Sequence, residues 1–384
     1  MAHYKISDVA EEVKDRENNP SESKYDRFVG LEHYVSGDVE ITHFGSTERL
    51  ESAMKVFKAG DILIARRNVY LKRASTVSFD GLTSGDSIVL RAKDPTIARI
   101  LPFVLNTDDF WDYADQYSDG TMSKRLSPKL LLAYEFDLPD DGLEDFADLL
   151  WAANETRNSY RELLRQTDEL VKSQFIELFG DPVKNTMGWP TMTLDQATEG
   201  IVSGQCLNGD AGILQPGQKA VLKVSAVTYG FFNAEEYKVL RDPKQITKGV
   251  YPQKGDLLFS RANTREYVGA TALIEQDYPD LMLPDKLWKL IFKPEVNPVF
   301  AKQFLSHPEV RKFLSDMATG TSGSMYNISM EKLKTLVSIV PKMERQQEFI
   351  RFVEQSDKSK FELKQAIERV TNLMKSLMQQ DFAN

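Results

Sequence analysis

Two short runs hold residue types that can read a base edge. Arg66-Arg67-Asn68 and Arg261-Ala262-Asn263, the second followed closely by Arg265, combine guanidinium and carboxamide groups. Arginine can donate two parallel hydrogen bonds to O6 and N7 of guanine, and asparagine can pair with N6 and N7 of adenine. Lys72 and Arg73, just beyond the first run, suit phosphate oxygens better than base edges. Tyr326 and Asn327 form a further candidate pair, at the end of a Gly-Ser loop that can equally serve as a hinge between domain and helix. The competing reading of the arginines is that one in each run caps carboxylates of its own domain.

Both runs follow the same kind of segment. Gly60-Asp61-Ile62-Leu63-Ile64-Ala65 returns as Gly255-Asp256-Leu257-Leu258-Phe259-Ser260, 195 residues later. Pro139 is answered by Pro341 at an offset of 202, and Phe146, Lys172-Ser173 and Phe179 by Phe349, Lys375-Ser376 and Phe382 at 203. So small a drift marks a diverged duplication with a few loop insertions. A period near two hundred is too long for a solenoid and means two copies of a complete unit. A duplicated reader suggests a target in two parts.

The 384 residues suit two domains, each able to bury its own core. A net charge of −9 runs against nucleic-acid binding until its distribution is considered. From Lys55 to Ser75, six cations stand against Asp61 alone, and from Arg241 to Arg265 six stand against Asp242 and Asp256. Glu135 to Thr156, by contrast, holds eight acids and no Lys or Arg. Screening confines attraction to roughly 8 Å, so basic islands can meet phosphates while acidic regions face elsewhere. Two solvated charged hairpins are the alternative, and their recurrence argues against it. The lone Cys206 excludes an internal disulfide and fits a reducing compartment. With no secretory leader and no run of about 18 apolar residues, a soluble cytoplasmic location is expected.

The elements that must hold these loops follow the same order in each copy. Strands are expected over 61–65, 75–79 and 87–90, and over 257–260, 269–274 and 286–292. A helix follows each set, over 96–117 and about 298–317, then a small-residue loop (120–127 and 320–329), then an apolar strand ending at Pro139 or Pro341. Each repeat closes on a long amphipathic helix. Phe146, Leu149, Leu150, Ala153, Tyr160, Leu163 and Leu164 mark its stripe in the first, and Phe349, Phe352, Val353, Leu363, Ile367 and Val370 in the second. The first helix, over 143–179, spans about 55 Å at 1.5 Å per residue and needs an apolar partner. The other long helix is the simplest one. The expected arrangement is an antiparallel coiled coil, which gives a pseudo-two-fold molecule with the domains at opposite ends of a rod; a parallel pair would put both domains on one side. The class is α+β.

The residues carry a resemblance at this point. Phe175-Ile176-Glu177-Leu178-Phe179-Gly180-Asp181-Pro182 with Gly188-Trp189-Pro190, the Gly-Asp strand entries and the loop ending Asn327-Ile328-Ser329 resemble specificity subunits of Type I restriction–modification systems. The likeness covers the chain in that family's order. It implies target-recognition domains over 1–140 and 182–341 and spacer helices over 141–181 and 342–384. It further implies a non-catalytic reader of a bipartite site in double-stranded DNA, carrying two methyltransferase subunits and, in the full complex, restriction and translocation subunits. S-adenosylmethionine, ATP and Mg are then expected on those partners and no cofactor on this chain. The first copy departs from the pattern, with Lys124-Arg125-Leu126-Ser127 where the second has Tyr326-Asn327-Ile328-Ser329.

The residues themselves agree with a reader that performs no chemistry. There is no Asn-Pro-Pro-aromatic loop of an adenine methyltransferase and no phosphate-binding loop ending in Gly-Lys-Ser/Thr. His3, His33, His43 and His307 are scattered, without metal-ligand spacing. A stand-alone bivalent DNA-binding regulator and a protein-assembly scaffold are the other two function classes; co-purification with a methyltransferase separates the first class from both. If the helices set the distance between half-sites, about 55 Å allows at most about 16 base pairs between them. Inserting one turn in both helices is then expected to lengthen the preferred spacer by about one or two base pairs. A methylation footprint checks this, and an unchanged spacer rejects it.

Overall fold

The computed structural model describes residues 1–120, 123–320 and 325–382. Thr121, Met122 and Thr321 to Ser324, all from the small-residue loops, lie outside the described residues. The chain divides into two compact units. Unit 1 comprises Met1–Glu162 with Leu363–Asn384, and unit 2 comprises Leu163–Glu362.

Each unit is α+β, as expected, and both are built on one plan. In unit 1 the buried strand Ile62–Ala65 lies between Ser87–Ala92 and Ala74–Thr76, with Ala10–Val13 at the far edge of the sheet. In unit 2, Leu257–Ser260 lies between Leu287–Phe292 and Thr271–Leu273, with Thr198–Ser203 at the edge. Each central strand is buried along its whole length, which is why it reads as an unbroken apolar run. A second sheet in each unit contains a parallel pair, Arg27–Val29 with Gly81–Thr83 and Ala220–Leu222 with Leu281–Met282.

The recurring Gly-Asp is the entry to the central strand. Gly60 and Gly255 both have φ of +89°, a conformation that glycine adopts without a Cβ clash. The next residue locks the turn: Asp61 Oδ2 accepts from the Lys58 amide at 2.8 Å, and Asp256 Oδ2 from the Gln253 amide at 2.7 Å. Each carboxylate is then neutralised by the neighbouring strand. Arg91 donates twice to Asp61 at 2.7 Å, and Lys289 lies 2.6 Å from Asp256.

Four expectations about elements need correction. The helices expected over 96–117 and 298–317 are each two helices, Pro95–Val104 with Asp108–Tyr117 and Pro298–Ser306 with Pro308–Met317. Thr107 starts the second helix of its pair by accepting from the Phe110 amide, and Pro308 opens the other because its ring fits only a first turn. The segments ending at Pro139 and Pro341 begin as short helices, Pro128–Leu132 and Met330–Lys334, capped by Ser127 and Ser329, and only then become strands.

The long helices run Leu143–Phe179 and Met343–Phe382. Within unit 2 they pack antiparallel: Asp168 pairs with Lys360 at 2.8 Å, while Phe175 meets Phe349 at 5.5 Å between ring centroids. Phe179 and Phe300 join those two rings in a fully buried aromatic cluster. Within unit 1, Ala147 and Leu150 share a core with Met374 and Met378.

The junction after the first long helix explains its own sequence. Gly180, with φ of +73°, ends the helix, and the Trp189 indole N–H donates to the Phe179 carbonyl at 3.0 Å. Asp181 turns the chain by accepting from the Val183 and Lys184 amides. A Cβ at position 180 meets Thr186 Oγ1 at 2.4 Å as well as an unfavourable φ. Gly180→Ala is expected to cost unit 2 about 1–2 kcal/mol. Denaturant unfolding measures it, and an unchanged midpoint contradicts the assignment.

Candidate nucleic-acid interface

Each central strand ends and its chain continues for three residues, of which only the first amide still bonds beside the main sheet, Arg66 to the Asp86 carbonyl at 2.8 Å and Arg261 to the Lys286 carbonyl at 3.0 Å. The remaining backbone groups must bond elsewhere. In unit 1 the Leu126 amide donates to the Arg66 carbonyl at 2.9 Å and the Asn68 amide to the Lys124 carbonyl at 3.0 Å, with Arg67 opposite Arg125. In unit 2 the Ile328 amide donates to the Arg261 carbonyl at 2.9 Å, and Ala262 and Asn263 pair with Asn327 and Tyr326. The post-strand run and the small-residue loop, far apart in sequence, thus form one two-stranded feature in each unit. Lys124-Arg125-Leu126 in one occupies the place of Tyr326-Asn327-Ile328 in the other.

The side chains divide between internal and outward roles. Arg66 is half-buried, and its Nε donates to the Leu126 carbonyl at 3.1 Å. Arg67 is exposed and shares the Asp86 carboxylate with Arg125. Asn68 adopts a left-handed backbone, φ +56°, and accepts from Ser123 Oγ at 2.9 Å. Lys72 reaches Asp108 at 2.6 Å. Arg73 bonds the Leu31 and Arg67 carbonyls at 3.1 and 2.9 Å, so its fork braces the loop that carries Arg67. Burial holds its guanidinium below the ordinary arginine range.

In unit 2, Arg261 donates to the Asp285 carbonyl at 3.1 Å, lies 3.3 Å from its carboxylate, and stands over the Trp288 ring. Arg265 is exposed, 3.5 Å from Asp316, with its guanidinium 5.9 Å from the centroid of the Tyr326 ring. Asn263 Nδ2 donates to Thr228 Oγ1 at 3.0 Å. The carboxylate-capping alternative therefore describes Arg67, on Asp86, and Arg261, on Asp285, while Arg66 is spent on a backbone carbonyl; Arg67, Arg265, Tyr326 and Asn327 border the surface. Sequence reasoning left out two groups: Lys124 and Arg125 as members of the unit 1 feature, and the aromatic residues Tyr229, Phe231 and Tyr267 near Asn263. The cluster Tyr229-Gly230-Phe231-Phe232 was the available signal for the latter.

The unit 1 feature gathers Arg66, Arg67, Lys72, Arg73, Lys124 and Arg125 against Asp86, Asp108 and Asp115, leaving positive charge in excess. In unit 2, Arg261 and Arg265 are matched by Asp285 and Asp316. Such a surface can hold phosphates in unit 1 and offers polar and aromatic groups in unit 2. Among the described residues no His, Cys, Asp and Glu cluster can hold a metal ion, and no helix is long and apolar enough to cross a membrane.

Residues 188–371 match the Type I restriction modification DNA specificity domain. The chain is 29% identical over 168 residues to the EcoKI specificity subunit of Escherichia coli strain K12, covering 42% of this chain and 36% of that protein. It is 26% identical over 122 residues to the EcoEI specificity subunit of Escherichia coli, covering 32% and 20%. The match thus spans about a third of the first curated relative's length and about a fifth of the second's. The crystal structure of a Type-I restriction-modification system S subunit from M. genitalium shares the fold at a TM-score of 0.51, with 13% identity across 100% of this chain and 96% of that one. The resemblance read from the repeat is borne out.

Arg73 and Lys72 separate bracing from contact. Arg73→Met is expected to lower the stability of unit 1 by about 1–2 kcal/mol, because two carbonyls lose a charged donor, whereas Lys72→Met leaves it nearly unchanged. Thermal unfolding distinguishes them, and equal effects contradict the bracing role.

Proposed function

We propose that this chain, which carries a Type I restriction modification DNA specificity domain over residues 188–371, is the DNA sequence-specificity subunit of a Type I restriction–modification complex. Each unit reads one half of a bipartite double-stranded site, and the chain recruits two methyltransferase subunits and the restriction subunits. Methylation and cleavage belong to those partners, with S-adenosylmethionine, ATP and Mg bound there. The observation that carries the reading is the recurrence, in both units, of an Arg- and Asn-bearing extension of the central strand paired with a small-residue loop. A stand-alone bivalent regulator has the same surface but no need of a methyltransferase.

Arg67 and Arg265 are the outward arginines of the two features, and either can bond a guanine edge bidentately or a phosphate. Co-expression with the methyltransferase, followed by methylome sequencing, is expected to return one bipartite motif. Arg67→Ala and Arg265→Ala should each relax a different half of it, costing about 1–3 kcal/mol of binding at the position read. Failure to co-purify with the methyltransferase, or identical motifs from all three proteins, overturns this assignment.

A further inference from the structure

The turn Tyr229-Gly230-Phe231 sets two large rings in solvent, Tyr229 at 68% exposure and Phe231 at 59%. The rings stack with centroids 6.3 Å apart and planes 26° from parallel, and Tyr267 meets Tyr229 edge-on at 5.6 Å. The residues beside the turn are anchored. Ala226 and Val227 are fully buried, and Phe232 packs against Tyr278 at 4.9 Å. Gly230, with φ of +82°, supplies the left-handed residue that the turn needs.

The fold does not require these rings. Unit 1 has the same order, strand Arg27–Val29, short helix Leu31–His33 and then Gly37 at φ +73°. There the glycine is flanked by Ser36 and Asp38, and Asp38 accepts from Arg157 at 3.3 Å and Arg161 at 2.7 Å. Where unit 1 has a carboxylate satisfied inside the unit, unit 2 has an exposed phenylalanine. A stacked apolar pair left in water marks a contact surface.

Its neighbours say what kind. Thr228, just before the turn, is bonded to Asn263 of the post-strand run, and Arg265 beyond it covers the Tyr326 ring. Arg261 and Arg265 each already face an acid, Asp285 and Asp316, and the surface beside them offers ring faces and a carboxamide. That chemistry suits bases. We infer that Tyr229 and Phe231 form an aromatic wedge that packs against an opened base step of duplex DNA in the half-site read by unit 2. The inference rests on the specificity reading above. Inserting apolar side chains at a base step costs unstacking and returns buried ring surface, and it selects steps that deform readily.

The test uses the full chain with its methyltransferase, and a duplex carrying the methylated motif with 2-aminopurine placed in turn along each half. Beyond the extrusion of each base that the methyltransferase modifies, wild-type complex is expected to raise the fluorescence at one further step, in the half-site read by unit 2. Tyr229→Ala/Phe231→Ala should abolish that rise and weaken binding to the motif by about tenfold or more, as loss of base stacking does. Binding to an unrelated duplex, the thermal midpoint and co-purification with the methyltransferase should be unchanged. Tyr229→Phe should retain the signal. Unaltered affinity and fluorescence in the double variant overturn the wedge while leaving the specificity reading intact. Loss of the methyltransferase from the double variant makes the rings a protein contact, which also overturns it. Wild-type complex with no preference for its motif overturns the specificity reading and the wedge together.

Discussion

A strand that outruns its sheet carries amide and carbonyl groups that must find partners or remain hydrated. In both units the central strand runs on for three residues, and the partner is the loop of small residues that follows the helix pair. This pairing holds Arg66 to Asn68 and Arg261 to Asn263 against a rigid sheet. It determines which side chains are consumed internally and which border the surface. The Gly-Asp entry at the other end of the strand supports it, because a slip of one residue there turns every side chain of the run to the opposite face.

The two units solve the same backbone problem with different surfaces. In unit 1 the loop contributes Lys124 and Arg125, Asp86 holds Arg67 and Arg125 side by side, and Arg73 braces the turn from behind. In unit 2 the loop contributes Tyr326 and Asn327, and the arginines are individually matched by acids. A duplicated scaffold with divergent contact chemistry suits two unlike half-sites. The net charge of −9 is compatible with this, since positive charge collects where the unit 1 loops meet.

Much of the scaffold was legible because burial leaves a periodic trace. The first long helix runs over the span that its apolar spacing indicated, and the central strands read as unbroken apolar runs because they are buried on both faces. The break at Thr107 was hidden because apolar spacing continues across it, while a cap depends on one hydroxyl. The candidate runs could be named as separate loops. That Asn68 pairs with Lys124 and Asn263 with Tyr326 could not, since period identifies a strand but not its partner. Which arginine turns inward was likewise decided by acceptors distant in sequence, Leu126 for Arg66 and Asp285 for Arg261.

Amide hydrogen exchange on the full complex, with and without a duplex carrying its methylated motif, tests the central claim most directly. Slowed exchange is predicted on binding in both paired features, residues 66–68 with 124–126 and 261–263 with 326–328. Protection confined to one unit, or located elsewhere in both, contradicts it.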